Sequence, residues 1–309
     1  MAIAVKTPTP TEKPTLASSD IDSVVDKKLA TLHKPVMTIP GITNLESEGT
    51  VEDSFLNFMV FVKTDYGESG IELREGDTDY SKMEKTYNLI KCQIHNSLDL
   101  GWKPEDIIIA TNFEFEYMGV SMHIVEDICD YSQFYHKQYA ALELLNKEIL
   151  NKNFWYHDLD AFQLKEFKFP NFSGDWGTCV YPGGDGHSCQ CGVIYLKITS
   201  KDMFEYLVDM MKRKVLQTHD DEVVIRNHLK LNPTYNWRVS VLNTRYNMGM
   251  TGFNERYDGA TKPINVVHFS PDKEKDWNFM VEGSTQLGVK VVDDRLLDIL
   301  NKYSVKYDK

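Results

Sequence analysis

The sequence is short of cysteine, of positive charge and of long apolar runs, and each shortage excludes something. Five cysteines among 309 residues are too few, and odd in number, for a disulfide framework, so reduced thiols are expected. Lysine and arginine total 34 against 46 acidic residues, a formal net charge of −12, which leaves no basic excess for coating nucleic acid or anionic membrane without regard to sequence. No stretch approaches the roughly 20 apolar residues of a bilayer-crossing helix, and the opening "MAIAVKTPTPTEKP" has no apolar segment of the secretory-signal kind. The expectation is a soluble, cytoplasmic protein with no membrane partner, either single or oligomeric.

What is present is an ordinary globular balance, 42% hydrophobic and 26% charged. Residues 1–50 are expected to be a flexible Thr/Pro/Ser/Lys-rich tail, with a short helix from Asp20 that carries Ile21, Val24, Val25, Leu29 and Leu32 along one face. From residue 51 to 285 strand-like and helix-like segments alternate. Leu56 to Val62, "EDIIIATN", "NFWYHDLD", "CGVIYLKI", "WRVSVLN" and "INVVHFS" read as strands, and the stretch around Tyr87, Ile90 and Ile94, "HKQYAALELLNKEIL", "DMFEYLVDMMKRKV" and "DDEVVIRNHL" read as helices. This order predicts one α/β domain, a mixed, mostly parallel sheet flanked by helices. Residues 286–309 follow as an extension, a strand "GVKVV" and a helix "DDRLLDILNKY".

Asp158 and Asp160 stand two apart where an aromatic strand ends. In extended backbone such side chains point the same way, and two carboxylates side by side require a positive partner. They are either turn residues after a strand or half of a divalent-cation site, since hard cations take carboxylate oxygens and share their shell with a diphosphate. Ligands of open α/β sheets gather beyond the carboxyl ends of strands, where this pair lies. His268 ends another such strand, with Lys273, Lys275 and Trp277 behind it. Alone it is a structural hydrogen-bonder or a ligand; with the two aspartates it makes a mixed N/O set that favours Mn²⁺ over Mg²⁺.

In order and spacing these segments resemble the glycogenin-like family 8 glycosyltransferases. The likeness runs from about residue 55 to 280. It implies a GT-A (Rossmann-like) fold, a UDP-type nucleotide-sugar donor, Mn²⁺ (or Mg²⁺), and transfer of a hexose with retention to a hydroxyl acceptor, which could be glycan, protein, small molecule or modified nucleic acid. "VKTDYGESG" is similar to the family's nucleobase turn, so Thr64, Asp65 and Tyr66 would hold the base. Lys137 stands where a family lysine reaches the donor. Asp158 and Asp160 match the metal aspartates, with Asp158 also near the ribose, and "VVHFSPDKEKDW" supplies His268 to the metal and Lys275 to the diphosphate. "QCGVIYL" places Gln190 and Gly192 at the donor sugar, and Asp221 and Glu222 match an Asp-Gln pair beside the transferring sugar. "LNTRYNM" resembles a Leu-Pro-x-x-Tyr-Asn stretch. Departures are Glu222 for Gln, Asn243 and Asp276 for Pro, one extra residue before Lys275, and His157 before Asp158.

A phosphohydrolase would use Asp-x-Asp as nucleophile and acid around Mg²⁺, but earlier in the chain and before Thr or Val rather than Ala161 and Phe162. A GT-A-like module that binds nucleotide sugar or glycan without turnover is a third reading. Asp221 is equally suited to capping the helix it opens. The stretch "GDWGTCVYPGGDGHSCQC" reads as a glycine-rich loop or lid with Trp176 and Tyr181 exposed. Its Cys179, His187, Cys189 and Cys191 could also bind zinc, although one residue between the last two cysteines is short for that metal.

Overall fold

A computed structural model of the chain describes residues 54–62, 79–128, 133–181, 189–213, 221–284 and 286–306. Thr64, Asp65, Tyr66, His187 and the tail helix expected from Asp20 lie outside the described residues. The expected α/β architecture is present. Among the described residues, eight strands form the main sheet: β1 (Leu56–Phe61), β2 (Ile107–Thr111), β3 (Glu116–Tyr117), β4 (Val120–Ile124), β5 (Phe154–His157), β7 (Trp176–Val180), β8 (Cys189–Leu196) and β9 (Val239–Val241). Their order is β3-β4-β2-β1-β5-β8-β7-β9. A second sheet of three strands has the order β10-β11-β6, with β6 spanning Ala161–Gln163, β10 Met248–Gly249 and β11 Val266–His268.

The strands β4, β2, β1 and β5 run parallel, and their sequences explain why they sit at the centre. Every residue of "IIIAT" in β2 and of "FWYH" in β5 is buried, as befits strands covered on both faces. The chain moves from β1 to β2 on one side and returns to β5 on the other. This reversal opens a crevice at the carboxyl ends of β1 and β5, the place where open α/β sheets bind ligands. β8 runs antiparallel to β5, pairing His157 with Val193, and so brings its own start to the same crevice.

Helices α1 (Asp79–Asp99), α2 (His136–Asn146), α3 (Lys201–Lys212), α4 (Asp221–Ile225), α5 (Phe253–Gly259), α6 (Glu274–Met280) and α7 (Asp294–Lys302) accompany the sheets. α3 is the most regular case: Met203, Phe204, Leu207, Val208 and Met211 fall at helical spacing and bury one stripe among Leu144, Phe154 and Trp176. α4 continues into a π-helical turn, Arg226–Lys230, which completes the helix expected over "DDEVVIRNHL".

Two expectations need correction. The stretch "GDWGTCV" is not a loop but contains β7, with Trp176 1% exposed against Phe204. Its glycines disguise a strand: Gly177 is there because a side chain would strike Leu242 and Phe172. "GVKVV" forms no strand; the Val291 and Val292 N–H groups both bond to the Met280 carbonyl oxygen instead. Among the described residues Cys179, Cys189 and Cys191 form no candidate metal cluster, and His187 lies outside them. None of the described helices is long and apolar enough to cross a membrane.

Candidate functional site

β5 ends at His157, and the chain turns at once: the Ala161 N–H bonds to the Asp158 carbonyl oxygen at 3.0 Å, which closes the turn that carries Asp158 and Asp160. Buried polar groups hold this turn from behind. Gln93 of α1 donates to the Leu159 and Ala161 carbonyl oxygens at 2.7 and 2.9 Å, and Asn96 donates to the Gln163 carbonyl at 3.0 Å. His157 is buried, its Nδ1 donating to the Asp158 carbonyl oxygen at 3.0 Å and its Nε2 2.9 Å from the Asn57 amide. Burial drops its pKa to about 4, so it is a neutral brace at ordinary pH.

The second sheet delivers the third candidate ligand. β11 pairs antiparallel with β6, His268 opposite Ala161, and the Phe269 N–H bonds to the Asp160 carbonyl. His268 Nε2 comes within 3.1 Å of Asp160 Oδ1, and Ser270 Oγ lies 3.4 Å from Oδ2. Donor atoms of Asp158, Asp160 and His268 all fall within 4.8 Å of one another. Two carboxylates and an imidazole suit a borderline-hard divalent cation. The space is kept open by Gly192, where a Cβ would overlap His268 Cε1 and stand 2.8 Å from Asp158 Oδ2. Donor chemistry and cradle therefore fit a metal ion.

Electrostatics bind the cluster together. Burial opposes charge on His268, but the Asp160 carboxylate, with Asp158 behind it, outweighs burial and raises its pKa above the ordinary value. Burial likewise opposes ionisation of Asp160, and the His268 charge overcomes it, holding that carboxyl below its usual value. Lys273 adds to the lowering. Lys275 sits exposed on α6.

Lys137, at the start of α2, is the central cation. Its ammonium lies 2.5 Å from Asp221 Oδ2, 3.6 Å from Asp158 Oδ1, and donates to the Cys191 carbonyl oxygen at 2.9 Å. Burial works against its charge, yet Asp158 and Asp221 keep its pKa well above normal. Tyr156 lies under it and donates to Asp158 Oδ1 at 2.5 Å. Asp221, at the start of α4, is thus committed to an ion pair at the site.

β8 delivers Gln190 and Gly192 through a bulge. Thr178 faces Ile194 while Val180 faces Cys189, so β8 spends more residues than β7 over the same length. The Thr178 hydroxyl donates to the Gln190 carbonyl oxygen at 2.5 Å and holds the bulge. Glu222 accepts a hydrogen bond from the Tyr181 hydroxyl at 2.7 Å. Lys137, Asp158, Asp160, Gln190, Gly192, Asp221, Glu222 and His268 therefore gather at one end of the sheets. Sequence reasoning missed the site role of Tyr156, which the strand pattern marks only as core, and missed Gln93, Asn96 and Arg256, polar or charged residues whose burial no local pattern announces.

No family model matches the chain, and no curated protein sequence matches it. Solved structures similar to it include galactosyltransferase LgtC in complex with donor and acceptor sugar analogs, at 11% identity and TM-score 0.43 over 79% of this chain and 99% of that one. Another is the apo form of glycosyltransferase GlyE of Streptococcus pneumoniae TIGR4, at 13% identity and TM-score 0.44 over 83% and 65%. Mouse xyloside xylosyltransferase 1 is similar at 10% identity and TM-score 0.41 over 69% and 97%. At these values the functional reading rests on the geometry of the site and not on the likeness.

Proposed function

We propose that the protein is a GT-A glycosyltransferase that moves a hexose, with retention, from a UDP-type nucleotide sugar to a hydroxyl acceptor, using Mn²⁺ or Mg²⁺. The observation that carries this reading is the convergence of Asp158, Asp160 and His268 beside the buried ammonium of Lys137. Asp158, Asp160 and His268 would hold the ion, which when bound offsets charge on the departing diphosphate. Lys137 adds a fixed positive charge at the same end of the sheet, held ready by Asp221 and the Cys191 carbonyl. Asp221 in turn places a carboxylate where an oxocarbenium-like sugar gains from negative charge, and Glu222, oriented by Tyr181, supplies a second. Thr64, Asp65 and Tyr66 remain the proposed contacts of the base, and Lys275 a proposed contact of the diphosphate.

The test is release of UDP from a panel of UDP-sugars in Mn²⁺, with the anomer of the product read by NMR. Asp160→Asn is expected to lower the rate by at least about 100-fold while far-UV dichroism stays native and melting stays cooperative. Normal turnover by Asp160→Asn would remove the metal site from the mechanism. Phosphate release from an aryl phosphate, without UDP-sugar turnover, would move the reading to a phosphohydrolase.

A further inference from the structure

Among the described residues Arg256 is the largest fully buried charged side chain. It is 1% exposed, and among those residues its Nε, Nη1 and Nη2 have no hydrogen-bond partner. Gly249 admits it, since a Cβ there would lie 2.6 Å from Nη1. The Tyr181 ring lies 5.1 Å from the guanidinium, and the charge of Glu222 acts on it from further off, but neither takes one of its N–H groups. Beside it lies a second unpaired polar atom. Gln190 is 4% exposed and its Oε1 has no partner, while its Nε2 approaches the same face of Gly249. Buried guanidinium groups and amides left unsatisfied are strongly unfavourable, and an apolar side chain of similar volume would pack there at lower cost. Their retention calls for a ligand.

The place of these unpaired groups identifies its class. Gly249 pairs with His268, and Gln190 precedes Gly192 by one strand repeat on the face that meets Asp158 and His268. The two groups therefore lie next to the cation site, with Tyr181 linking Arg256 to Glu222, on the side where the nucleotide-sugar reading puts the sugar. We propose that Arg256 and Gln190 form a subsite for a sugar-borne carboxylate, so that the substrate is a hexuronic acid rather than a neutral hexose. A carboxylate takes two guanidinium N–H groups in parallel, and the hydroxyl on the adjoining ring carbon donates to Gln190 Oε1. A hydroxymethyl group matches the shape but leaves the charge uncompensated. The proposal rests on the nucleotide-sugar reading; the carboxylate belongs either to the donor or to the acceptor.

Titration in Mn²⁺ separates the cases, using UDP, UDP-glucose against UDP-glucuronate, and UDP-galactose against UDP-galacturonate. If the donor carries the carboxylate, one hexuronate binds at least about tenfold tighter than its hexose, and Arg256→Met brings the pair within about twofold. If the acceptor carries it, the donor pairs bind alike, and free glucuronate or galacturonate binds the UDP-saturated native protein but not Arg256→Met. UDP binding serves as the control for folding of the variant. UDP binding with no hexuronate preference in either arm overturns the carboxylate subsite alone, as does a preference that survives Arg256→Met. Failure of native protein to bind UDP overturns the nucleotide-sugar reading and this one with it. Should Arg256→Met not fold, the comparison within native protein still decides.

Discussion

At the scale of single residues, the cation site depends on one hydrogen atom. A Cβ on Gly192 would overlap His268 Cε1 and press on Asp158 Oδ2, so the position admits no side chain. In Gly192→Ala the methyl must displace the imidazole, because the β8 backbone is fixed by its pairing with β5. The fold is expected to lose about 1–3 kcal/mol, as overpacked sites do, whereas Mn²⁺ affinity should fall by about 100-fold or more. Calorimetric titration with Mn²⁺ beside a thermal melt reads both, and native Mn²⁺ affinity in the variant would show that His268 is not a ligand.

His268 also sets a pH signature. Its folded pKa is raised, so in metal-free protein its pair with Asp160 stabilises fully below the unfolded value of 6.5 and is lost as pH rises through the folded value. Asp160 has a lowered pKa, and its share is present above 3.8 and lost as pH falls through its folded value. Metal binding has the opposite sign, since the imidazole must shed its proton to become a ligand. In EDTA the melting temperature should therefore decline on passing upward from pH 6.5, while the increment given by Mn²⁺ grows over the same range. Parallel profiles with and without Mn²⁺ would contradict ligation by His268.

At the scale of elements, α1 shows why part of the site was legible and part was not. Asp158, Asp160 and His268 could be read because strand ends are marked by apolar runs, and ligands gather beyond them. Nothing on α1 marks Gln93 or Asn96: "DYSKMEKTYNLIKCQIHNSLD" looks like a solvated helix, and only the docked turn of Asp158–Ala161 makes its polar stripe an interior one. β7 was hidden for the converse reason, its glycine belonging to close packing and not to a turn. Arg256 sits in "FNERYDG", where nothing distinguishes a buried guanidinium from a surface one. The α1 clamp makes a direct prediction. Gln93→Leu removes the amide donor shared by the Leu159 and Ala161 carbonyl oxygens, at a cost of about 2–4 kcal/mol, and it should weaken Mn²⁺ binding by roughly tenfold although Gln93 lies behind the site. A loss of stability with unchanged Mn²⁺ affinity would mean that the turn is held by its own hydrogen bonds.

At the scale of the molecule, the site exists where the two sheets meet, because Asp158 directly follows a strand of one and His268 ends a strand of the other. What presses β11 into place is the C-terminal segment. Val292, Leu296, Ile299, Leu300, Tyr303 and Val305 share a core cluster with Phe162, Met248, Val267 and Phe269, so the residues after 285 complete the core rather than extend from it. Arg295 reinforces the join, reaching Asn96 Oδ1 at 2.9 Å and Asp99 Oδ2 at 3.1 Å on α1. Six buried apolar side chains contribute on the order of 10 kcal/mol, comparable with the whole stability of a typical domain. A chain ending at residue 285 is thus expected to bind ANS, melt without cooperativity and lose Mn²⁺ binding. The single change Leu296→Ala should cost about 2–5 kcal/mol and weaken Mn²⁺ binding only as the melting transition is approached. A truncated chain that melts cooperatively and binds Mn²⁺ with native affinity would show that the second sheet holds His268 without α7.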